Sequence, residues 1–182
     1  MMTGVEPTLT AHPRADAVVV TGVPAAGKST LGLALAQALG APFLSLDVLK
    51  EEFYKHDVDG RAGHRLRRAA EIELGRCLSA AVGVVVVDIW VAPGRDTRRV
   101  ADLLTANASS TVEVLCRVPA EVAVARYLRR VRGGPHQPAD EDTLRRIREA
   151  VAVLTPLGVG RCIEVDTSGT VDIDQVLARL RS

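Results

Sequence analysis

One stretch of the sequence has the residue types and spacing of a phosphate-binding loop. It fits the pattern G-x-x-x-x-G-K-[ST] and consists of Gly22, Val23, Pro24, Ala25, Ala26, Gly27, Lys28, Ser29 and Thr30. Glycines let the backbone curl until successive N–H groups point inward, and the following helix directs its positive N-terminal end at the same anion. Lys28 would reach the β- and γ-phosphates, and the Ser29 hydroxyl would hold a Mg²⁺ ion that bridges them. The motif therefore predicts a nucleoside triphosphate site, with ATP and Mg²⁺ as the expected ligands.

The residues on either side supply the two elements that such a loop needs. Residues 17–20 are apolar and mostly β-branched, which predicts a buried strand, and residues 31–39 are rich in Ala and Leu, which predicts a helix. The simpler alternative is a glycine-containing turn that only starts a helix. The complete motif between a strand and a helix favours the phosphate-binding loop.

Asp47 is a candidate catalytic residue because of its position. It follows a short predicted strand over residues 43–46. In an open α/β sheet, ligands bind at the carboxyl ends of the strands, so a carboxylate there is placed for work on a substrate. The alternative is an N-cap, since residues 48–54 predict a helix and aspartate caps helices well. We favour the catalytic or metal-linked role, with which capping is compatible.

Asp88 is a candidate metal ligand. It ends a run of valines at residues 84–87 that predicts a buried strand. This arrangement is typical of a Walker B element, whose carboxylate orients Mg²⁺, although a strand-end aspartate can also simply pair with a neighbour. Trp90, the single tryptophan, follows on the same side and either forms a wall of an acceptor pocket or packs in the ordinary way.

Two groups of arginines follow. The first lies on a helix predicted to start at Pro119, before residues 133–140, whose glycines and prolines exclude regular structure. Such a loop fits a lid, around residues 126–140, that closes over the transferring phosphate, and the alternative is a basic helix face with a surface loop. Its arginines are Arg126, Arg129, Arg130 and Arg132.

The second group lies on or beside a helix predicted over residues 64–82. Most of these arginines lie off the apolar stripe of the helix, so we expect them to be solvated, although Arg61, His64 or Arg65 at its start could face an acceptor. The group is Arg61, Arg65, Arg67, Arg68 and Arg76.

The order of elements predicts the fold class. Five predicted strands alternate with helices in one domain over residues 16–182, after a flexible tail at residues 1–15. Such alternation with right-handed crossovers makes a parallel sheet covered on both faces, a three-layer α/β fold. The strands are predicted at residues 17–20, 43–46, 84–87, 111–118 and 161–167.

The composition limits the partners. Lys and Arg number 23 against 22 Asp and Glu, and aromatic residues make up 3%, which argues against nucleic acid and membrane surfaces as partners. Residues 1–14 lack the apolar core of a signal peptide, and the apolar run at residues 80–87 is too short to span a bilayer. We therefore expect a cytoplasmic protein. Its oligomeric state stays open, with a homodimer as one alternative.

These motifs resemble those of the small P-loop kinases and phosphotransferases, a group that holds shikimate kinase, gluconate kinase, zeta-toxin-like kinases and chloramphenicol phosphotransferase. The resemblance runs from residue 17 to the C-terminus in element order, and residues 22–30 are its most specific part. It implies a P-loop kinase fold with sheet order 2-3-1-4-5. It also implies that Asp47 is the base toward the acceptor hydroxyl and that Asp88 is the acidic strand end.

The same resemblance places the lid arginines at Arg126, Arg130 and Arg132, and it places residues 166–169, including Thr167, against the adenine ring. Two features depart from the shikimate and gluconate kinases. No second acid stands close after Asp47, and the Gly-Gly motif after the third strand is absent. Neither substrate is therefore assigned.

The predicted function is transfer of the γ-phosphate of ATP to a hydroxyl of a small molecule, such as an antibiotic, a sugar or another metabolite. Two alternatives stay open. One is a polynucleotide 5'-hydroxyl kinase, which would need a basic groove. The other is a nucleotide-dependent switch or ATPase that is not a kinase, for which no guanine-binding motif is visible.

Overall fold

A computed structural model describes residues 14–56, 64–130 and 139–182. Most of the predicted tail, Arg61, Arg132 and the glycine-containing part of the predicted lid lie outside the described residues. No helix within the described ranges is both long enough and apolar enough to cross a membrane.

Five parallel strands form one sheet. They are β1 (Asp16–Thr21), β2 (Phe43–Ser45), β3 (Val84–Asp88), β4 (Ser110–Arg117) and β5 (Arg161–Asp166). Their order is β2-β3-β1-β4-β5, so the order implied by the resemblance is confirmed. The β1 strand, which leads into the phosphate-binding loop, lies in the middle of the sheet, with β3 and β4 as its neighbours.

Helices cover both faces of this sheet. Side chains alternate along a strand, so Val18 and Val20 of β1 enter one core and Val19 enters the other. The helices in the described residues are α1 (Lys28–Leu39), α2 (Leu46–Lys55), α3 (His64–Ala80), α4 (Thr97–Asn107), α5 (Ala120–Arg129), α6 (Glu141–Ala152) and α7 (Ile173–Arg181). The first core holds side chains of α1, α5, α6 and α7, and the second holds side chains of α2, α3 and α4. The predicted three-layer α/β class is therefore confirmed.

The ends of two helices follow from local chemistry. The α1 helix ends at Gly40, whose φ of 61° is left-handed and whose N–H bonds the carbonyl groups of Ala36 and Gln37. The α6 helix is capped by Asp140, whose side chain accepts a hydrogen bond from the N–H of Thr143.

Candidate active site

The phosphate-binding loop lies between the end of β1 and the start of α1. Gly22 begins it with a φ of 142°, and Ala25 is the one non-glycine residue with a positive φ, 63°, in the described part of the chain. A Cβ atom on Gly22 would lie 2.9 Å from both Cβ and the carbonyl oxygen of Cys116 in β4. Lys28 is buried at the first position of α1, and its Nζ donates to the carbonyl of Val23 at 3.1 Å. The lysine and the helix end thus place positive charge within the loop.

Ser29 and Asp88, the two predicted metal ligands, lie together. The Ser29 hydroxyl donates to Oδ2 of Asp88 at 2.6 Å, and the Ser45 hydroxyl lies 3.3 Å from the same oxygen. These oxygen donors suit Mg²⁺, which usually keeps several waters and binds to one or two carboxylates and to substrate phosphates. The described residues contain no group of three or more His, Cys, Asp or Glu that could hold a metal ion. An ion at Ser29 and Asp88 would therefore draw its other ligands from phosphate and water.

A cleft of about 700 Å³ opens beside the loop. This volume lies within the range of small-molecule sites, roughly 300–1,000 Å³. Its walls come from the loop itself, α2, α3, the segment after β3, α5 and α6. The apolar part of the lining consists of Pro24, Ala25, Leu66, Trp90, Ala92, Pro93, Tyr127, Ile147, Ala150 and Val153.

Asp47 lines this cleft together with Lys28 and Ser29, but it does so from a helix. The β2 strand ends at Ser45, which is the N-cap residue of α2, and Asp47 lies in the first turn. The predicted strand to residue 46 was therefore wrong by one residue, and the alternative of an N-cap at Asp47 is excluded because Ser45 holds that position. The chain enters the helix earlier because Leu46, its first residue, is buried in the core. Nζ of Lys50 lies 3.6 Å from Oδ1 of Asp47.

The predicted lid arginines separate in space. Arg130 lines the cleft, whereas Arg126 is half-buried and donates to the carbonyl of Ser168 at 2.8 Å, on the side of the β5–α7 connection. Arg146 of α6 also lines the cleft, and the sequence did not single it out. The roles of Arg126 and Arg130 stay predictions.

Thr167 connects the end of β5 to the phosphate-binding loop. Its hydroxyl lies 2.6 Å from the carbonyl oxygen of Ala26 and 3.0 Å from that of Arg117. Its side chain also borders Gly27, because a Cβ atom there would lie 3.8 Å from Cβ of Thr167. This contact brings the predicted adenine loop beside the predicted phosphate site. Its binding role stays a prediction.

Arg67 was predicted to be solvated, and that prediction was wrong. Its side chain is only 13% exposed and lines the cleft. Nε donates to Oε1 of Glu71 at 2.9 Å, and Nη2 donates to the carbonyl of Trp90 at 3.0 Å and lies 3.4 Å from Asp96. The i,i+4 spacing of Arg67 and Glu71 was a signal in the sequence that could have indicated the pair.

Glu71 and Asp96 are buried acids, each with a side chain 2% exposed. Arg99 bridges them, because its Nε and Nη2 donate to Glu71 at 2.8 and 2.9 Å and Nη2 donates to Asp96 at 2.8 Å. Arg95 adds hydrogen bonds to Asp96 at 2.9 and 3.2 Å. Burial alone would raise the pKa of Asp96, but the hydrogen bonds from Arg95 and Arg99 and the charge of Arg67 outweigh it and lower this pKa to about 2.

Trp90 serves both of the roles that the sequence left open. Its side chain lines the cleft, and it also packs against the core that contains α1 and α5.

Comparison with known proteins adds the family. Residues 18–154 of the 182 match the AAA domain family. Comparison with curated proteins finds no match. Among solved structures, a candidate kinase from Chloroflexus aurantiacus J-10-fl is 25% identical, with coverage of 93% of this chain and 97% of that one and a TM-score of 0.75.

Two further solved structures share the fold. A gluconokinase from Sinorhizobium meliloti 1021 is 22% identical, with coverage of 93% of this chain and 95% of that one and a TM-score of 0.59. Shikimate kinase from Acinetobacter baumannii, in complex with shikimate, is 18% identical, with coverage of 94% and 92% and a TM-score of 0.60. The chain belongs to the AAA domain family, and its fold is that of the small P-loop kinases and phosphotransferases.

Proposed function

We propose that the protein transfers the γ-phosphate of ATP to a hydroxyl group of a small molecule. The observation that carries this proposal is the shared cleft, which has Lys28 and Ser29 of the phosphate-binding loop on one side and Asp47 of α2 on another. A triphosphate held by the loop would leave room in the 700 Å³ cleft for an acceptor. The similar solved structures are described as kinases, which supports the same reaction class.

Phosphoryl transfer needs alignment and charge neutralisation more than covalent help from the protein. Lys28 would neutralise the β- and γ-phosphates, and Arg130 and Arg146 would add positive charge from α5 and α6. Ser29 and Asp88 would hold a Mg²⁺ ion, which would supply further positive charge to neutralise the phosphates. Ser29 lies at the start of α1 and Asp88 at the end of β3, so the two side chains would already be in contact before a nucleotide binds.

Asp47 would orient the acceptor hydroxyl and accept its proton, because a carboxylate within hydrogen-bond reach can act as a general base. Its place in the first turn of α2 exposes the carboxylate to the cleft. Lys50, whose Nζ lies 3.6 Å from Oδ1 of Asp47, would help to orient the carboxylate. We assign Arg126 and Thr167 to the nucleotide side, where they contact Ser168 and Ala26.

The Asp47→Asn variant tests the base. We expect it to bind ATP with the affinity of the parent protein and to lose phosphoryl transfer by a factor of about 10²–10⁴. Glu52→Gln, a change to an exposed acid on the same helix, is the matched control and should transfer normally. Normal transfer by Asp47→Asn would remove Asp47 from the mechanism.

The Lys28→Ala variant tests the phosphate site. We expect loss of both tight ATP binding and activity, because no other loop side chain can supply the buried ammonium group. Lys55→Ala removes an exposed lysine from α2 and should change neither. ATP titration by calorimetry would measure the binding of ATP by both variants, and a turnover assay would measure their activity.

An acceptor screen distinguishes a kinase from the alternatives. The protein is incubated with ATP and Mg²⁺ alone and then with sugars, hydroxy acids, hydroxylated antibiotics and a 5'-hydroxyl oligonucleotide. A kinase consumes ATP faster with its acceptor and yields a phosphorylated product, whereas a switch hydrolyses ATP slowly whatever is added. Phosphorylation of the oligonucleotide alone, with strongly salt-dependent binding, would indicate a polynucleotide kinase instead.

A further inference from the structure

Basic side chains outnumber acidic ones on the walls of the cleft. Apart from Lys28, five basic residues line it, against two acidic ones. The basic residues are Lys50, Arg67, Arg95, Arg130 and Arg146, and the acidic ones are Asp47 and Glu149. The proposed reaction uses Lys28, Arg130 and Arg146 to neutralise the phosphates of ATP. The remaining basic residues of the cleft could therefore bind an anion other than the triphosphate.

Arg67 differs from the other basic residues of the cleft in how it is held. Lys50 is 18% exposed and is paired with Asp47, the proposed base, whereas Arg146 is 55% exposed and is paired with Asp142. Arg95 is 59% exposed. Arg67, by contrast, is 13% exposed and packs between α3 and the segment after β3. A guanidinium group in such a partly dehydrated position binds an anion more strongly than an exposed one does.

The hydrogen bonds of Arg67 leave one edge of its guanidinium available. A guanidinium group has five N–H donors. Nε and Nη2 serve Glu71, Asp96 and the carbonyl of Trp90. Within the described ranges, Nη1 makes no hydrogen bond, and Arg67 belongs to the cleft lining. Its two Nη1 donors can therefore meet a carboxylate or phosphate oxygen in the cleft.

The acids behind Arg67 fix its position without cancelling its charge. Glu71 also pairs with Arg68 and Arg99, and Asp96 also pairs with Arg95 and Arg99. Four guanidinium groups therefore surround two carboxylates, and two positive charges are in excess. Because the network is already formed, little side-chain entropy would be lost when an anion binds. Glu71 and Asp96 are thus positioning residues for Arg67.

We propose that the acceptor carries an anionic group, a carboxylate or a phosphate, in addition to the hydroxyl that receives the phosphoryl group, and that Arg67 binds this anion. The proposal rests on the proposed function, since it names the class of the acceptor. The apolar side chains of Leu66, Trp90 and Ile147 line the same cleft, so the anionic acceptor also presents apolar surface.

Binding can be tested without turnover, because Trp90 is the single tryptophan and lines the cleft. Its fluorescence is followed during titration with two matched pairs of probes. Mandelate and mandelamide test for a carboxylate, and glycerol 3-phosphate and glycerol test for a phosphate. We expect the anion of at least one pair to bind about tenfold or more tightly than its neutral partner. Equal binding within both pairs would overturn the proposal.

Variants then assign the anion site to Arg67. Arg67→Met should weaken binding of the preferred anion about tenfold and leave the neutral probe and ATP unchanged. Arg65→Met removes a neighbouring arginine of α3 that is exposed and lies outside the cleft lining, and it should change none of the three affinities. If Arg67→Met does not fold, Arg67→Lys keeps the charge and should still lose affinity for the anion.

The positioning role of Glu71 has its own test. Glu71→Gln should weaken binding of the anion but not of the neutral probe or ATP, whereas a purely structural role would weaken all three. Where an acceptor is found, the same variant should raise KM for that acceptor with little change in kcat. Failure to transfer phosphate to any acceptor would contradict the proposed function, whereas loss of the anion preference contradicts only this inference.

Discussion

The hydroxyl of Ser29 donates a 2.6 Å hydrogen bond to the carboxylate of Asp88, from the first turn of α1 to the last residue of β3. Parallel pairing of β1 with β3 sets Val20 opposite Asp88, so the two elements meet at one edge of the sheet. The pair is available to a divalent cation, because both side chains are hard oxygen ligands. Ser45 contacts the same carboxylate oxygen more distantly, at 3.3 Å.

This geometry predicts different effects for substitutions of Ser29 and Ser45. Ser29→Ala should raise the Mg²⁺ concentration for half-maximal activity by about 10–100-fold, because it removes a ligand of the ion. Ser45→Ala removes only a partner of Asp88 and should have a smaller effect. Mg²⁺ titrations at saturating ATP would measure both, and equal effects of the two substitutions would contradict the assignment of Ser29 as the ligand.

Gly22→Ala should impair nucleotide binding as well as stability. An added methyl group would lie 2.9 Å from two atoms of Cys116, so the loop must move away from β4. Gly40→Ala is the control, because its φ of 61° is also unfavourable for alanine but nothing lies within 4 Å of the added Cβ. That variant should lose roughly 1 kcal/mol of stability and keep its affinity for ATP. Urea unfolding and ATP titration would compare them, and unchanged ATP affinity in Gly22→Ala would contradict the prediction.

Glu113 should make the fold sensitive to mild changes of pH. This buried acid accepts hydrogen bonds from the hydroxyl of Thr21 at 2.6 Å and the N–H of Leu157 at 2.7 Å. Burial raises its pKa above the usual 4.5, and these hydrogen bonds offset the effect only in part. The folded protein therefore keeps this proton up to a higher pH than the unfolded chain does. The contribution of Glu113 to stability falls as pH rises from 4.5 toward the raised pKa.

Two substitutions test this behaviour. Glu113→Gln keeps the shape and should flatten that part of the pH profile. Glu113→Ala leaves the N–H of Leu157 without its partner and should cost about 1–3 kcal/mol. Denaturant unfolding from pH 4 to pH 7 provides the measurement, and an unchanged profile in Glu113→Gln would exclude Glu113 as its source.

Asp96 should have the opposite dependence, in more acidic solution. Its folded pKa of about 2 lies below the usual 3.8, so it stabilises the fold above that value and loses this contribution as pH falls from 3.8 toward 2. Asp96→Asn should remove the loss of stability between pH 3.8 and pH 2. Asp102→Asn is the control, because that side chain is 74% exposed, and it should retain this loss. Acid titration followed by circular dichroism checks both, and identical acid transitions in the two variants would contradict the role of Asp96.

Local patterns alone were sufficient for the central part of this molecule. The strand, loop and helix around residues 17–39 are contiguous, so their apolar pattern, glycines and lysine predicted each of them directly. The contact between Ser29 and Asp88 required the sheet order as well, which the family resemblance implied and the local pattern did not. Even at Asp47, where the predicted strand end was wrong, the side chain reached the expected cleft.

Tertiary structure alone decided which charges are buried. Arg67 and Arg68 are neighbours on α3 and both lie near Glu71, yet only Arg67 is largely buried and reaches Asp96 and the Trp90 carbonyl. Glu113 looks no different from a surface acid until the loop at Leu157 covers it. The physical reason is that a buried charge depends on partners supplied by distant segments, and residue type and spacing do not specify how those segments pack.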